Sequence, residues 1–129
     1  MAIIDWKLLT SHELLGRLAH EASPREQARA FLQIADIVKS EGLHGVILDM
    51  DHAAASLPGD AADFAAHMLA DALTDNGLER FALVDHGIQN PWWIEVVTKL
   101  LERGVAARRC DTVALAKSWF DAEGQAGAG

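Results

Sequence analysis

Short apolar runs alternate with helix-start signals along this chain, and this alternation limits the fold more than any other feature of the sequence. Residues 45–50 and 80–85 are apolar runs between turn residues, as expected of buried strands. Ser23-Pro24 and Asn90-Pro91 are typical of helix N-termini, because the first residue caps a free amide and proline has none to satisfy. Strands that alternate with helices pair in parallel through right-handed crossovers. The pattern therefore predicts an α/β fold.

Four helices and a last strand complete the predicted elements. The first two helices span about residues 24–40 and 61–75, and each is followed by a glycine that ends it. The third begins at Pro91 and ends near Arg103, residues 105–110 form the last strand, and the fourth helix runs from Asp111 to about Asp121.

The start of the chain has two interpretations. Residues 3–10 and 14–19 form either a β-hairpin, or a strand followed by a short helix that Ser11 caps. We expect the hairpin, because Gly16 disfavours a helix and is tolerated in a strand ladder. The element order is then ββαβαβαβα, which is a single-domain α/β fold with a mixed, mostly parallel five-stranded sheet and four helices. Residues 1–123 form this domain, and residues 124–129 are expected to be a flexible C-terminal tail.

Charge and cysteine content exclude several classes of protein. The chain of 129 residues has a net charge of −8, and residues 41–79 contain acids but no lysine or arginine, so this surface would repel a nucleic acid or an anionic membrane. No apolar run approaches the ~18 residues that span a membrane. Cys110 is the only cysteine, and the first residues do not resemble a signal peptide. We therefore expect a cytoplasmic protein that has no membrane span and binds no nucleic acid.

The predicted order of elements resembles the STAS fold, named for sulphate transporters and anti-sigma-factor antagonists, and is most similar to its SpoIIAA-like subgroup. The resemblance covers about residues 3–121. Three segments carry it: residues 45–50 leading into a loop and helix, residues 81–85, and the closing Ala116-Lys117-Ser118-Trp119-Phe120. It implies non-enzymatic binding without a cofactor, and a relation in shape to lipid-carrier CRAL-TRIO domains. The segment Ser56-Leu57-Pro58-Gly59-Asp60 lacks the phosphorylated Asp-Ser-Ser-Gly of the antagonists, so their switch is not expected here, and Ser56 is interpreted as a loop serine.

The first functional hypothesis is that the protein binds a non-polar small molecule between its helices and its sheet. Trp93 falls on the apolar face of the third helix, whereas Trp92 falls between charged residues and either covers the helix start or lines a pocket mouth or a dimer contact. We expect a homodimer. The predicted ligand-binding residues are Phe64, Met68, Trp92, Trp93, Asp85 and His86.

The second hypothesis is a regulatory module that docks a basic protein on its second helix. Acidic residues occupy one arc of that helix, with Phe64 at its edge, and the arc is either a solvated face or the docking surface. The predicted partner-binding residues are Asp60, Asp63 and Asp71. A metal held by Asp63, His67 and Asp71 has the right helical spacing, but we do not favour it.

The third hypothesis is an enzyme or metal site built on two matching pairs, Asp51-His52 and Asp85-His86. Each pair follows a predicted parallel strand, so both are expected at the carboxyl edge of the sheet, where α/β proteins bind ligands. A histidine beside an aspartate can act as a general base. No nucleophile accompanies them, because Cys110 stands beside Asp111, which disfavours a thiolate. We therefore expect strand-end turns at these positions, no catalytic residues and no enzyme. Dinucleotide, Walker A, nucleophile-elbow and zinc motifs are also missing from the sequence.

Overall fold

The computed structural model describes residues 4–18, 24–50, 59–87 and 91–128. This part of the chain forms five strands and four helices in the predicted order. They are β1 (Ile4–Thr10), β2 (Glu13–Leu18), α1 (Pro24–Glu41), β3 (Gly45–Asp49), α2 (Gly59–Asp75), β4 (Arg80–Val84), α3 (Pro91–Glu102), β5 (Ala106–Cys110) and α4 (Val113–Ala128).

The five strands form one sheet, in which the spatial order β1-β2-β3-β4-β5 follows the chain order. β1 and β2 are antiparallel and the remaining neighbours are parallel, so the mixed, mostly parallel sheet is confirmed. The N-terminal hairpin is also confirmed, and the alternative of a short helix is wrong. Gly16 is buried in β2 opposite Trp6, where the ladder accommodates a residue that would weaken a helix.

The helices are divided unequally between the two faces of the sheet. Because each parallel crossover is right-handed and moves to the next strand in the same direction, α1, α2 and α3 lie on one face. They bury the main core, which contains Ile34, Leu69 and Trp93 from the helices and Leu48 and Phe81 from the sheet. Of the described helices, α4 alone lies on the other face. Its smaller core contains Ile47, Ala82, Val84, Cys110, Ala116 and Phe120, with Leu9 and Leu15 partly buried against it.

A close approach between α4 and the sheet depends on Gly45. A Cβ at this position would lie 2.9 Å from Cε2 of the buried Phe120 ring and 3.3 Å from Cγ of Glu13. The neighbouring Arg80 donates a hydrogen bond from Nη1 to the Phe120 carbonyl at 3.2 Å and forms an ion pair with Glu13 at 3.2 Å. Glycine is therefore required at position 45, because the Phe120 ring fills the space that a side chain would occupy.

The last helix is longer than the sequence analysis expected. It was predicted to end near Asp121, but α4 continues to Ala128, through the segment that was expected to be a flexible tail. No proline interrupts this segment, and its Ala, Glu and Gln residues favour a helix, which offsets the cost of its glycines. In the described ranges, no helix combines the length and the apolar character that crossing a membrane requires.

Candidate ligand-binding site

Charged side chains collect at the carboxyl edge of the parallel strands, where the predicted site lies. Because β2 to β5 run in one direction, their last residues share this edge. Arg17 lies near the end of β2, Asp49 ends β3, Asp85 and His86 follow β4, and Arg109 lies near the end of β5. Four neighbouring strands therefore each contribute an ionisable group to one edge.

Asp49 and His86 form the most tightly paired group at this edge. The Asp49 residue is 8% exposed, and its Oδ1 lies 2.6 Å from Nε2 of His86. A carboxylate bonded to one ring nitrogen fixes the orientation of an imidazole. His86 also has a φ of 52°, in the left-handed region that residues other than glycine rarely adopt. The short contact with Asp49 holds the imidazole at the end of β3, and the His86 backbone adopts this uncommon conformation there.

Asp85 makes a second, separate pair. It is 4% exposed, and its Oδ2 accepts a hydrogen bond from Nη1 of Arg109 at 3.1 Å. Its Oδ1 accepts a hydrogen bond from the Gly87 amide at 3.0 Å, which closes the turn after β4. Both buried carboxylates therefore have partners: Asp49 has the histidine, and Asp85 has the arginine and the turn.

A cleft of about 340 Å³ opens beside the Asp49–His86 pair, on the sheet face that carries α4. It is lined by Asp5, Trp6, Lys7, Leu15, Arg17 and Asp49. Strand alternation places all of these side chains except that of Trp6 on the α4 face, which α4 covers only over β3 to β5 and at Leu9 and Leu15. The cleft therefore exists because one helix cannot cover a sheet of five strands.

The floor of the cleft combines apolar surface with charges of alternating sign. Asp5, Arg17 and Asp49 are direct neighbours across β1, β2 and β3, and Lys7 lies opposite Leu15 in the next row. Among the described residues, the lining has two acidic and two basic side chains, so their formal charges cancel. Such a surface offers donors and acceptors side by side, with a leucine between them.

Cys110 lies at the same edge, but it is buried in the smaller core. Burial raises the pKa of its thiol, and the neighbouring Asp85 and Asp111 raise the pKa further, against an opposing effect of Arg108. The thiol is therefore protonated and shielded, which agrees with the expectation that Asp111 disfavours a thiolate.

Two of the residues that were predicted to line an apolar pocket differ in burial. Trp93 is fully buried in the main core, whereas Met68 is nearly half exposed on α2. The side chains of Phe64 and Trp92 lie outside the described residues, as do Ser56 and the whole Asp51-His52 pair. Asp85 and His86 do reach the carboxyl edge, but each bonds to a partner on another strand and not to the other.

Of the three predicted partner-binding residues on α2, only Asp71 has a described side chain. Oδ1 of Asp71 accepts a hydrogen bond from Nε of Arg103 on α3 at 2.6 Å, and the same arginine lies 2.8 Å from Nδ1 of His67 through Nη2. One carboxylate of the proposed docking face is therefore bonded within the molecule. The side chains of Asp60 and Asp63 lie outside the described residues. Where side chains are described, no group of three or more His, Cys, Asp or Glu residues could hold a metal ion.

Sequence reasoning missed Asp49, Arg17, Asp5 and Lys7. Asp49 carried a signal, because it is the charged residue that ends an otherwise apolar strand, at the edge where ligands bind. The other three became neighbours of Asp49 only through the strand order, which the sequence does not specify.

Comparisons of this chain with family models, curated proteins and solved structures give no match. What the fold and the site define is thus an α/β domain with a mixed sheet and an open cleft at its carboxyl edge. Membership of the STAS family stays a prediction from the sequence.

Proposed function

We propose that the protein binds a small organic molecule in the cleft beside Asp49, without transforming it. The observation that carries this proposal is the cleft itself: its volume of about 340 Å³ exceeds the ~300 Å³ at which ligand pockets begin, and it lies at the ligand-binding edge of an α/β sheet. Asp49, which lines the cleft, is bonded to His86 behind it at 2.6 Å. The single thiol of the chain, Cys110, is buried and its pKa is raised, which argues against thiol chemistry at this edge.

The lining indicates the class of molecule. Because the four described ionisable side chains of the lining are two acids and two bases, we expect a neutral polar or zwitterionic molecule to match their alternating signs better than a ligand with a large net charge. Leu15 offers apolar contact between them. The ligand that we propose is a compact molecule with an apolar part and both donor and acceptor groups, which is more polar than the ligand expected from the sequence.

Native mass spectrometry of protein purified without a denaturing step tests the proposal. We expect a bound small-molecule mass on the wild type and its loss in Leu15→Trp, because the indole fills the cleft. Leu32→Trp is the matched control, since Leu32 is an exposed leucine on α1, on the opposite face of the sheet. Wild-type protein without a bound mass, or retention of that mass in a folded Leu15→Trp variant, would contradict the proposal.

A second function, acid–base catalysis on the bound molecule, is favoured by the Asp49–His86 contact alone. A buried carboxylate 2.6 Å from an imidazole is the arrangement that orients a general base. If this function holds, His86→Gln abolishes conversion of the co-purifying molecule while the protein still retains that molecule. If the wild type returns the molecule unchanged after prolonged incubation, binding is its only role.

A further inference from the structure

The outer strand of the sheet, β1, exposes two large apolar side chains. Trp6 is 41% exposed and Leu8 is 46% exposed, and both lie on the same face of a strand of seven residues. In the described sheet β1 pairs only with β2, so its outer edge presents unpaired backbone amides and carbonyls. An exposed apolar edge strand is a template for pairing with another strand.

Asp5 and Lys7 flank Trp6 and are directed to the other face of β1. Both side chains are exposed, and neither forms an ion pair within the described ranges. Asp5 and Lys7 have opposite charges and lie two positions apart on one face of β1. When two copies of β1 pair in the antiparallel direction, each Asp5 can therefore lie opposite a Lys7.

We propose that two copies of the chain associate through β1, antiparallel and about a two-fold axis that passes beside Trp6. In this register Asp5 of each copy lies opposite Lys7 of the other, Trp6 lies opposite Trp6, and Leu8 lies opposite Ile4. Both charge pairs share one face of the joined sheet, and the indoles share the other. The interface is isologous, as a two-fold dimer requires.

Neighbouring registers lack this match. An axis beside Asp5 sets two carboxylates opposite each other, and an axis beside Lys7 sets two ammonium groups opposite each other; like charges in directly opposed positions destabilise a sheet. A shift by a single residue sets charged positions opposite apolar ones and breaks the alternation of the faces. The sequence of β1 therefore specifies one register and, with it, a second copy of this chain as the occupant.

The dimer also has a consequence for the cleft. A two-fold axis perpendicular to the sheet keeps the α4 face of both copies on the same side, so the two clefts lie next to each other across the joined β1 strands. Asp5 and Lys7 are then shared between the interface and the cleft wall. The interface rests on β1 alone and does not depend on the proposed ligand.

Charge reversal tests the register. We expect Asp5→Lys and Lys7→Asp each to raise the dimer dissociation constant about tenfold or more, because two attractive pairs become repulsive. The double variant Asp5→Lys/Lys7→Asp keeps the complementarity and restores the wild-type dissociation constant, and a mixture of the two single variants forms a heterodimer. Sedimentation equilibrium of the full chain measures all four cases, with circular dichroism to show that each variant is folded.

A cross-link provides a second readout. Trp6→Cys sets one thiol opposite its counterpart at the axis, within the ~4.4–6.8 Å between Cα atoms that a disulfide spans, so mild oxidation gives a covalent dimer. Leu8→Cys places the thiols too far apart and gives none, and the buried Cys110 of the wild type serves as the background. A wild type that stays monomeric at its highest soluble concentration overturns the proposal, as does a dimer that both single reversals leave unchanged. Loss of ligand in Leu15→Trp with an intact dimer concerns the cleft only, so the two proposals fail separately.

Discussion

Arg103 joins α2 to α3 through three hydrogen bonds. Nε binds Asp71 Oδ1 at 2.6 Å, Nη2 contacts His67 Nδ1 at 2.8 Å, and Nη1 donates to the Lys99 carbonyl at 2.9 Å near the end of α3. The arginine therefore donates to a carbonyl in the last turn of α3 and also binds the side of α2. An ion pair that also caps a helix is better fixed than an isolated surface pair.

This contact predicts a pH dependence. The hydrogen bond from Arg103 holds the pKa of Asp71 below its ordinary value of 3.8, with smaller contributions from the charges of Arg103 and His67 and an opposing one from burial. Because the folded-state pKa is the lower one, the contribution to stability is complete above pH 3.8 and is lost as the pH falls through the folded-state value. In Asp71→Asn this contribution is missing at every pH.

Urea denaturation of the wild type and of Asp71→Asn, from neutral to acid pH, measures the effect. We expect the wild type to be the more stable at neutral pH and the difference to narrow as the solution becomes more acid. Arg103→Gln should remove the same pH-dependent contribution to the free energy of unfolding. A difference that stays constant with pH would show that the carboxylate charge contributes nothing.

Only some residues of the candidate site could be predicted from the sequence. Asp85 and His86 could be assigned to the carboxyl edge because they follow a recognisable strand. Their partners could not be assigned, because Asp49 and Arg109 lie on different strands and become adjacent only through the sheet. The indole of Trp93 was correctly placed on the apolar face of its helix, but the helical pattern does not distinguish a core residue from a pocket wall.

At the scale of elements, the contact of β3 with α4 gives the sharpest prediction. Gly45→Ala should lower the free energy of unfolding by about 1–3 kcal/mol, because the new methyl group would lie 2.9 Å from the ring of Phe120. That ring cannot move aside easily, since it is buried and packs against Trp119 and the guanidinium of Arg80.

A double-mutant cycle with Phe120→Leu, measured by urea denaturation, isolates this clash. The smaller side chain leaves room for the methyl group, so Gly45→Ala should cost much less in the Phe120→Leu background than in the wild type. Equal costs in both backgrounds would place the origin of any destabilisation elsewhere in the strand.

The elements themselves were largely predictable, and the reason is local. Caps, turn glycines and apolar periodicity mark most boundaries. At the start of the chain, Gly16 correctly favoured the hairpin over a short helix. The end of α4 was not predictable in the same way, because Gly124 and Gly127 look like helix stops, whereas the surrounding alanines and glutamine favour continuation. Opposed propensities of this kind leave a boundary undetermined by sequence.

At the scale of the whole molecule, the sheet order could not be derived from the sequence, although the mostly parallel sheet could. Alternating elements imply parallel pairing, but they do not say on which side each new strand is added. Here every strand is added on the same side, so three of the described helices lie on one face of the sheet and one, α4, lies on the other. The cleft is a direct result of that unequal division.

The same division has a consequence for synthesis on the ribosome. Leu9 of β1 packs against the core that α4 completes, and Phe120 of α4 is synthesised after the strands that it covers. A nascent chain thus carries Ile47, Ala82 and Val84 without the cover of Phe120 until α4 leaves the exit tunnel. Until that moment this face is a surface to which chaperones can bind.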